Sequence, residues 1–367
     1  MATPATAAPI AFTHLPHPAP LAADARAQIL GNPGFGTTFS DHMVSVLYDE
    51  AQGWHSAEVL PYGPIALDPA AAVLHYAQEI FEGLKAYRLA DGGIALFRPE
   101  ANAARFNASA TRLAMPTLPE GLFVAAVEEL VKADQNWFPT VEGGSLYLRP
   151  FMFANEAFLG VRPSKQYRFL VIASPAGNYF KSGAPAVSLW VSDYSRAAPG
   201  GTGAAKCGGN YAASLVPTAE AFARGHDQVL FLDAVERKWI EELGGMNLFF
   251  VMADGSIITP PLGGTILPGI TRESLIKLAR EEGLTVREER YSLEQWRSDA
   301  TSGALTETFA CGTAAVVTPV GKVTSETDSF VIGSGGPGQL TQKLRQRLVS
   351  IQRGDAADTH GWVHRIG

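Results

Sequence analysis

Two hydrophobic periods run along the chain and divide it into strands and helices. An alternating pattern suggests a strand through Met43, Ser45 and Leu47, two of these three positions being apolar. WHSAEVLPYGPIAL and GGIALFRP read as further strands punctuated by glycine or proline. The period then changes. EANAARFNASATRLAM and LFVAAVEELVKADQNWF follow helical spacing, and Phe123, Val127, Leu130 and Val131 fall on one face of the second. SLYLRPFMFA and QYRFLVIAS, rich in aromatic and β-branched residues, return to strand character.

Residues 176–186, around AGNYFKSGAP, mix glycine, proline and serine, and mark an interdomain loop. Beyond it, VSLWVSDY predicts a strand and PGGTGAAKCGGNY a glycine-rich loop. A helix over YAASLVPTAEAFARG and strands at QVLFLD, KWIEE, LFFVM and SIITP come next. Thr271 is the predicted N-cap of a helix over RESLIKLAREEG, and Ser292 with Gln295 forms a capping box for EQWRSDATSG. Strands TETFACG and AVVTPV and a helix LTQKLRQRLVSIQRG complete the series, without internal repeats. Strands and helices in both halves predict an α/β chain of two domains. A flexible arm would cover residues 1–30, a smaller N-terminal domain 31–175 and a larger C-terminal domain 187–367.

Composition changes this picture little. At 367 residues the chain exceeds what one core usually fills, and 18% charged with 46% hydrophobic residues is ordinary for a soluble enzyme. A net charge of -7 argues against a general nucleic-acid partner. No apolar stretch is long enough to span a membrane, and MATPATAAPIAF lacks the charged start of a signal peptide, so the cytoplasm is the expected site of action. Two cysteines, Cys207 and Cys311, make neither a zinc site nor a disulfide framework. His360 and His364 stand four apart, but two histidines without a third ligand read as surface residues, and no metal is expected.

Candidate chemistry centres on Lys206, flanked by Gly200, Gly201, Gly203, Gly208 and Gly209. Glycines permit close approach to a ligand. The segment is no P-loop, because Cys207 stands where a hydroxyl is required. Alone, it reads more readily as a surface loop with a solvated lysine. The run from Glu242 through Asn247-Leu248-Phe249 and Thr259 to Leu267-Pro268-Gly269-Ile270-Thr271-Arg272 is more specific. A buried strand pair explains its apolar positions but not Glu242 beside two glycines.

That run resembles the signature of class IV aminotransferases. LHYAQEIFEGLKAY, LFRPEANAARF, SLYLRP, KCGGNYAASL and FACGTAAVVTPV resemble the branched-chain members, in the same order, from about Phe35 onward. The resemblance implies a fold-type IV enzyme holding pyridoxal 5'-phosphate between its two domains, as a Schiff base on Lys206. Lys206 would also move the proton during transfer. Glu242 would pair with the pyridine nitrogen and Tyr211 with the 3′ oxygen. Arg98, the helix start at Ile270 and Thr271, and Thr313 would bind the phosphate. Tyr76, Phe81, Tyr147 and Tyr179 would line the substrate pocket. Arg149 would pair with the γ-carboxylate of glutamate, and Ala314 and Ala315, next to Thr313, would meet the α-carboxylate.

The implied reaction exchanges amino groups between leucine, isoleucine or valine and 2-oxoglutarate, in a homodimer. Two departures stand out. Gly245 replaces a threonine found in some relatives, and Ala315 and Thr318 occupy the positions of a redox Cys-x-x-Cys, so no thiol switch is expected. The alternatives are D-amino-acid transamination or aminodeoxychorismate lyase chemistry, a cofactor-binding protein without turnover, and a nucleotide-binding module, whose usual motifs are missing.

Overall fold

The computed structural model describes residues 10–177 and 186–367. The chain divides into two compact units. The first comprises Met1–Arg88, Pro99–Gly177 and His364–Gly367, and the second Leu89–Arg98 and Asn178–Val363.

The first unit begins with β1 (Thr13–His14) and α1 (Ala23–Leu30), both inside the segment read as an arm. It continues through β2 (His42–Asp49), β3 (Gly53–Pro61), α2 (Ala72–Tyr76), β4 (Glu79–Phe81) and β5 (Leu84–Arg88). After β6 (Ile94–Phe97), which belongs to the second unit, come α3 (Pro99–Arg112), α4 (Glu120–Ala133), β7 (Ser145–Ala154) and β8 (Gln166–Ala176). The strands order as β1-β3-β2-β8-β7-β5, with β4 also on β7.

The predicted apolar face of α4 is the buried one: Phe123, Val127, Leu130 and Val131 are all shut from solvent. Phe123 meets Phe106 of α3 and Phe169 of β8, with ring centroids 5.4 and 5.9 Å away. Each such side chain contributes roughly 1.5–3 kcal/mol on burial. β7 shows the strand period most clearly. Leu146, Leu148, Pro150 and Met152 are buried on one face, which turns Tyr147, Arg149 and Phe151 to the other, only partly covered. That alternation puts a guanidinium and a phenol side by side.

The second unit holds β9 (Val187–Val191), α5 (Gly208–Ala212), α6 (Leu215–Ala223), β10 (Gln228–Leu232), β11 (Ile240–Leu243), β12 (Asn247–Met252) and β13 (Ile257–Thr259). It continues with α7 (Ile270–Glu281), β14 (Val286–Glu288), α8 (Leu293–Ser302), β15 (Leu305–Gly312), β16 (Val316–Thr324), β17 (Ser329–Val331) and α9 (Gln339–Gln352). Its sheet runs β11-β10-β9-β16-β15-β12-β13-β14, with β17 on β16. β12 is buried almost throughout, as its unbroken apolar run requires.

Two local expectations change. The helix predicted over 211–225 is two helices, α5 and α6. Pro217 explains the break: inside one long helix it would remove a backbone bond, whereas as the third residue of α6 its missing N–H is not needed. The N-cap of α7 is Gly269, not Thr271, and no side chain caps that end. Ser292 does cap α8, accepting from the Gln295 N–H at 3.0 Å.

Candidate active site

Within the second unit, the glycine-rich loop ahead of α5 is shaped by buried Asn210. Its amide donates to the Thr202 and Ala205 carbonyls, both at 2.8 Å, and its oxygen accepts from the Thr202 hydroxyl at 2.7 Å. Gly203 is required there, since a Cβ would lie 2.5 Å from the Thr265 carbonyl oxygen. The loop delivers Lys206 at its end. The Lys206 amine donates to the Tyr211 hydroxyl at 2.5 Å, from one turn into α5.

Glu242 lies on β11 and is only 3% exposed. Its Oε1 faces an Arg196 guanidinium nitrogen at 2.5 Å and accepts the Leu267 N–H at 3.0 Å. Among the described residues, its Oε2 has one long contact, the Asn247 amide at 3.4 Å. Burial raises the Glu242 carboxyl to about 7, and Arg196, Leu267 and the nearby Lys206 charge oppose that rise without cancelling it. Neighbouring Glu241 is also raised by burial, against a 2.5 Å bond from the Thr265 hydroxyl. A buried carboxylate with one poorly satisfied oxygen can take another N–H donor or positive charge.

Asn247 links this carboxylate to the start of α7. It also donates to the Leu267 carbonyl at 3.1 Å, and its oxygen occupies the space a Cβ at Gly269 would need. With glycine as N-cap, the first N–H groups of α7, those of Ile270 and Thr271 among them, have no side-chain acceptor. Arg98 reaches the same turn: Nη1 donates to the Ser274 hydroxyl at 2.9 Å and to the Ile270 carbonyl at 3.5 Å, while Nη2 pairs with Glu273 at 2.9 Å. Arg98 itself has a φ of 53°, strained for a residue with a Cβ, and its N–H donates to the Trp362 carbonyl at 2.7 Å. N–H groups at a helix start, the helix dipole and a guanidinium are together able to hold an anion, which here would compete with Glu273 for Arg98. Thr313, Ala314 and Ala315 make the turn between β15 and β16. Beside that hairpin, a Cβ on Gly312 would sit 3.3 Å from the Gly245 carbonyl, and one on Gly245 would sit 3.9 Å from the Tyr211 ring.

In the first unit, three of the predicted wall residues form one group. The Arg149 guanidinium lies 4.6 Å from the Phe81 ring centre and 5.5 Å from that of Tyr147, and donates to the Tyr147 hydroxyl at 3.2 Å. Among the described residues, Arg149 Nε is buried without a hydrogen-bond partner. Tyr76 is placed differently: its hydroxyl donates to the Leu159 carbonyl and its ring lies 6.5 Å from that of Phe158. Tyr179 lies outside the described residues.

Sequence reasoning missed three participants. Arg196 sits ten residues before Lys206, and nothing local signals its pairing with Glu242. Phe35, between Gly34 and Gly36 at φ of 64° and 69°, packs edge-on to Tyr147 at 5.1 Å; an aromatic between two such glycines was the available signal. Buried Glu82 anchors the Phe81 segment through Arg105 and Asn102.

His360 and His364 are not on a helix. His364 bonds Glu100 at 2.9 Å and Glu128 at 2.6 Å. His360 stacks on Trp362 at 4.1 Å. Cys207 and Cys311 are buried free thiols, and burial pushes Cys311 far up. Among the described residues, no helix is long and apolar enough to cross a membrane.

Comparison with known proteins gives consistent matches. The family described as "Amino-transferase class IV" matches residues 79–323. A branched-chain-amino-acid aminotransferase of Mycolicibacterium smegmatis is 56% identical, covering 98% of this chain and 99% of its own. A probable branched-chain-amino-acid aminotransferase of Streptomyces coelicolor is 57% identical, covering 95% and 96%. Among solved structures, the Escherichia coli branched-chain amino acid aminotransferase superposes with a TM-score of 0.73 at 29% identity over 88% of this chain and all of its own. The T.th. branched-chain amino acid aminotransferase with pyridoxamine 5'-phosphate gives 0.72 at 29%, over 88% and 99%.

Proposed function

The chain belongs to the class IV aminotransferases, in the branched-chain group, and from that premise we propose which of its residues carry the reaction. The reaction is the reversible exchange of an amino group between L-leucine, L-isoleucine or L-valine and 2-oxoglutarate. Matches across nearly the full length to branched-chain enzymes favour this over D-amino-acid transamination or lyase chemistry.

The residues present fit pyridoxal 5'-phosphate. When bound, it supplies an electron sink that stabilises negative charge at the substrate Cα. Lys206 is the amine joined to the cofactor and, once released, carries the proton to and from Cα. Its bond to Tyr211 holds the amine in place, and the Tyr211 hydroxyl is then a donor for the ring oxygen. Glu242 is the observation that carries the assignment. Its buried Oε2, with only a 3.4 Å contact, suits a protonated ring nitrogen, whose charge would return the carboxyl to its ionised form. Arg196 fixes the other oxygen. The first turn of α7 at Ile270 and Thr271, with Arg98 and Thr313, would take the phosphate.

Arg149, Tyr147 and Phe81 form the wall that accepts both side chains. The aromatic faces suit an aliphatic group, and Arg149 with the Tyr147 hydroxyl suits the glutamate carboxylate. Tyr76 and Tyr179 are further wall positions, and Ala314 and Ala315 would meet the α-carboxylate. The enzyme acts as a homodimer in the cytoplasm.

The test mixes purified holoenzyme with L-leucine and, separately, D-alanine, and follows the absorption of the bound cofactor. A change with L-leucine alone is expected; a change with D-alanine alone would overturn the substrate assignment.

A further inference from the structure

Gly83 has a close neighbour that its sequence position does not reveal. It is buried between Phe81 and the start of β5, and a Cβ there would overlap the Tyr147 hydroxyl and lie 3.0 Å from Tyr147 Cζ. The Tyr147 hydroxyl therefore occupies the space that any other residue would fill. It is the same hydroxyl that receives the Arg149 guanidinium at 3.2 Å.

The backbone at Gly83 is not free to give way. The Glu82 N–H donates to the Pro150 carbonyl at 2.7 Å. The fully buried Glu82 carboxylate accepts the Gly83 N–H at 3.1 Å, the Asn102 amide at 2.7 Å and two Arg105 nitrogens at 2.7 and 2.8 Å. The tip of Tyr147 is the mobile party in any clash. Its ring is flanked by Phe35, and a displaced hydroxyl leaves Arg149 without its phenol acceptor.

We propose that Gly83 is a specificity-determining position: by lacking a side chain, it seats the Tyr147 hydroxyl beside Arg149 and so sets recognition of the side-chain carboxylate of glutamate and 2-oxoglutarate. This rests on the reading of Arg149 as the partner of that carboxylate. An aliphatic side chain makes no use of the hydroxyl, so the two half reactions respond differently. Glu82, with Arg105 and Asn102, is the positioning network that keeps the glycine under the phenol.

The test compares holoenzyme variants in single-turnover reactions with L-glutamate and with L-leucine, with thermal unfolding as a control for folding. Gly83→Ala is expected to raise the half-saturating glutamate concentration about tenfold, the worth of one hydrogen bond to a charged group, and the leucine value by less than about twofold. In a Tyr147→Phe background, which removes the overlapping hydroxyl, the same substitution is expected to change the glutamate value by no more than about twofold. Equal weakening of both substrates, no weakening of glutamate, or an undiminished effect in the Tyr147→Phe background overturns the proposal. Arg149→Met separates the two layers. If it leaves glutamate binding unchanged, the carboxylate reading falls and the proposal with it; if it weakens glutamate while Gly83→Ala does not, the proposal alone falls.

Discussion

Each unit holds a buried glutamate paired with an arginine, Glu82 with Arg105 and Glu242 with Arg196, and the two pairs are finished to different degrees. In the first unit Glu82 is fully buried, and both its oxygens are taken up by Arg105, Asn102 and the Gly83 N–H at 2.7–3.1 Å. In the second unit Glu242 gives one oxygen to Arg196 and Leu267 and leaves the other a single 3.4 Å contact. A satisfied buried pair pins structure. A buried carboxylate with an oxygen to spare is costly to keep ionised, and its raised value of about 7 records that cost. The difference fits Glu82 as a positioning residue and suits Glu242 to the role proposed for it, beside a cationic ring nitrogen.

The largest effect expected lies at the amine beside the unfinished pair. Lys206→Ala should reduce leucine transamination by more than about a thousandfold, as loss of the covalent and proton-carrying group demands, with the fold retained by circular dichroism. The next two substitutions test the comparison directly. Glu242→Gln should slow leucine turnover by about a hundredfold or more, with a smaller loss of stability than at Glu82, because the Glu242 carboxyl is already held well above the usual carboxylate range. Glu82→Gln should instead cost about 3–5 kcal/mol in denaturant unfolding, because it strands Arg105 in a buried site. If the two phenotypes were exchanged, the distinction between the pairs would be wrong.

A smaller effect follows from pH. The Glu242 value is raised from 4.5 to about 7 in the folded, cofactor-free protein. Between those values the unfolded chain has released its proton and the folded protein still holds it. Stability from this group therefore falls as pH rises through that window, by on the order of 3 kcal/mol. Denaturant titrations of cofactor-free protein at pH 5 and 7.5 should show the loss in wild type and not in Glu242→Gln. The smallest effect concerns His364. Burial disfavours its charge, but the bonds to Glu128 and Glu100 prevail and raise its value above 6.5. Its contribution is present below 6.5 and fades as pH rises through the raised value. His364→Ala should cost about 1 kcal/mol or less at pH 6, and still less at pH 8.5.

Much of this was legible in the sequence because it is written in local patterns. The alternation in SLYLRPFMFA marks β7 and places Tyr147 and Arg149 on one face. The apolar face of α4 follows from its spacing, and the cap of α8 from Ser292. Lys206 and Glu242 stand out through motifs. What was not legible depends on contacts between distant segments. Arg196 meets Glu242 across 46 positions of chain, and Gly83 meets Tyr147 from the link between β4 and β5. The α7 cap is Gly269 rather than Thr271, and Asn247 leaves no room for a Cβ there, a constraint no propensity contains. The split between α5 and α6 was available in Pro217, whose position in a helix decides whether it is tolerated.

The most direct test of the account is to reduce the holoenzyme with borohydride, which fixes the cofactor to the amine that holds it, and to map the modified peptide by mass spectrometry. The expected result is a phosphopyridoxyl mass on Lys206 alone, lost in Lys206→Ala. The same mass on another lysine, or its persistence in that variant, would contradict the assignment of the active site.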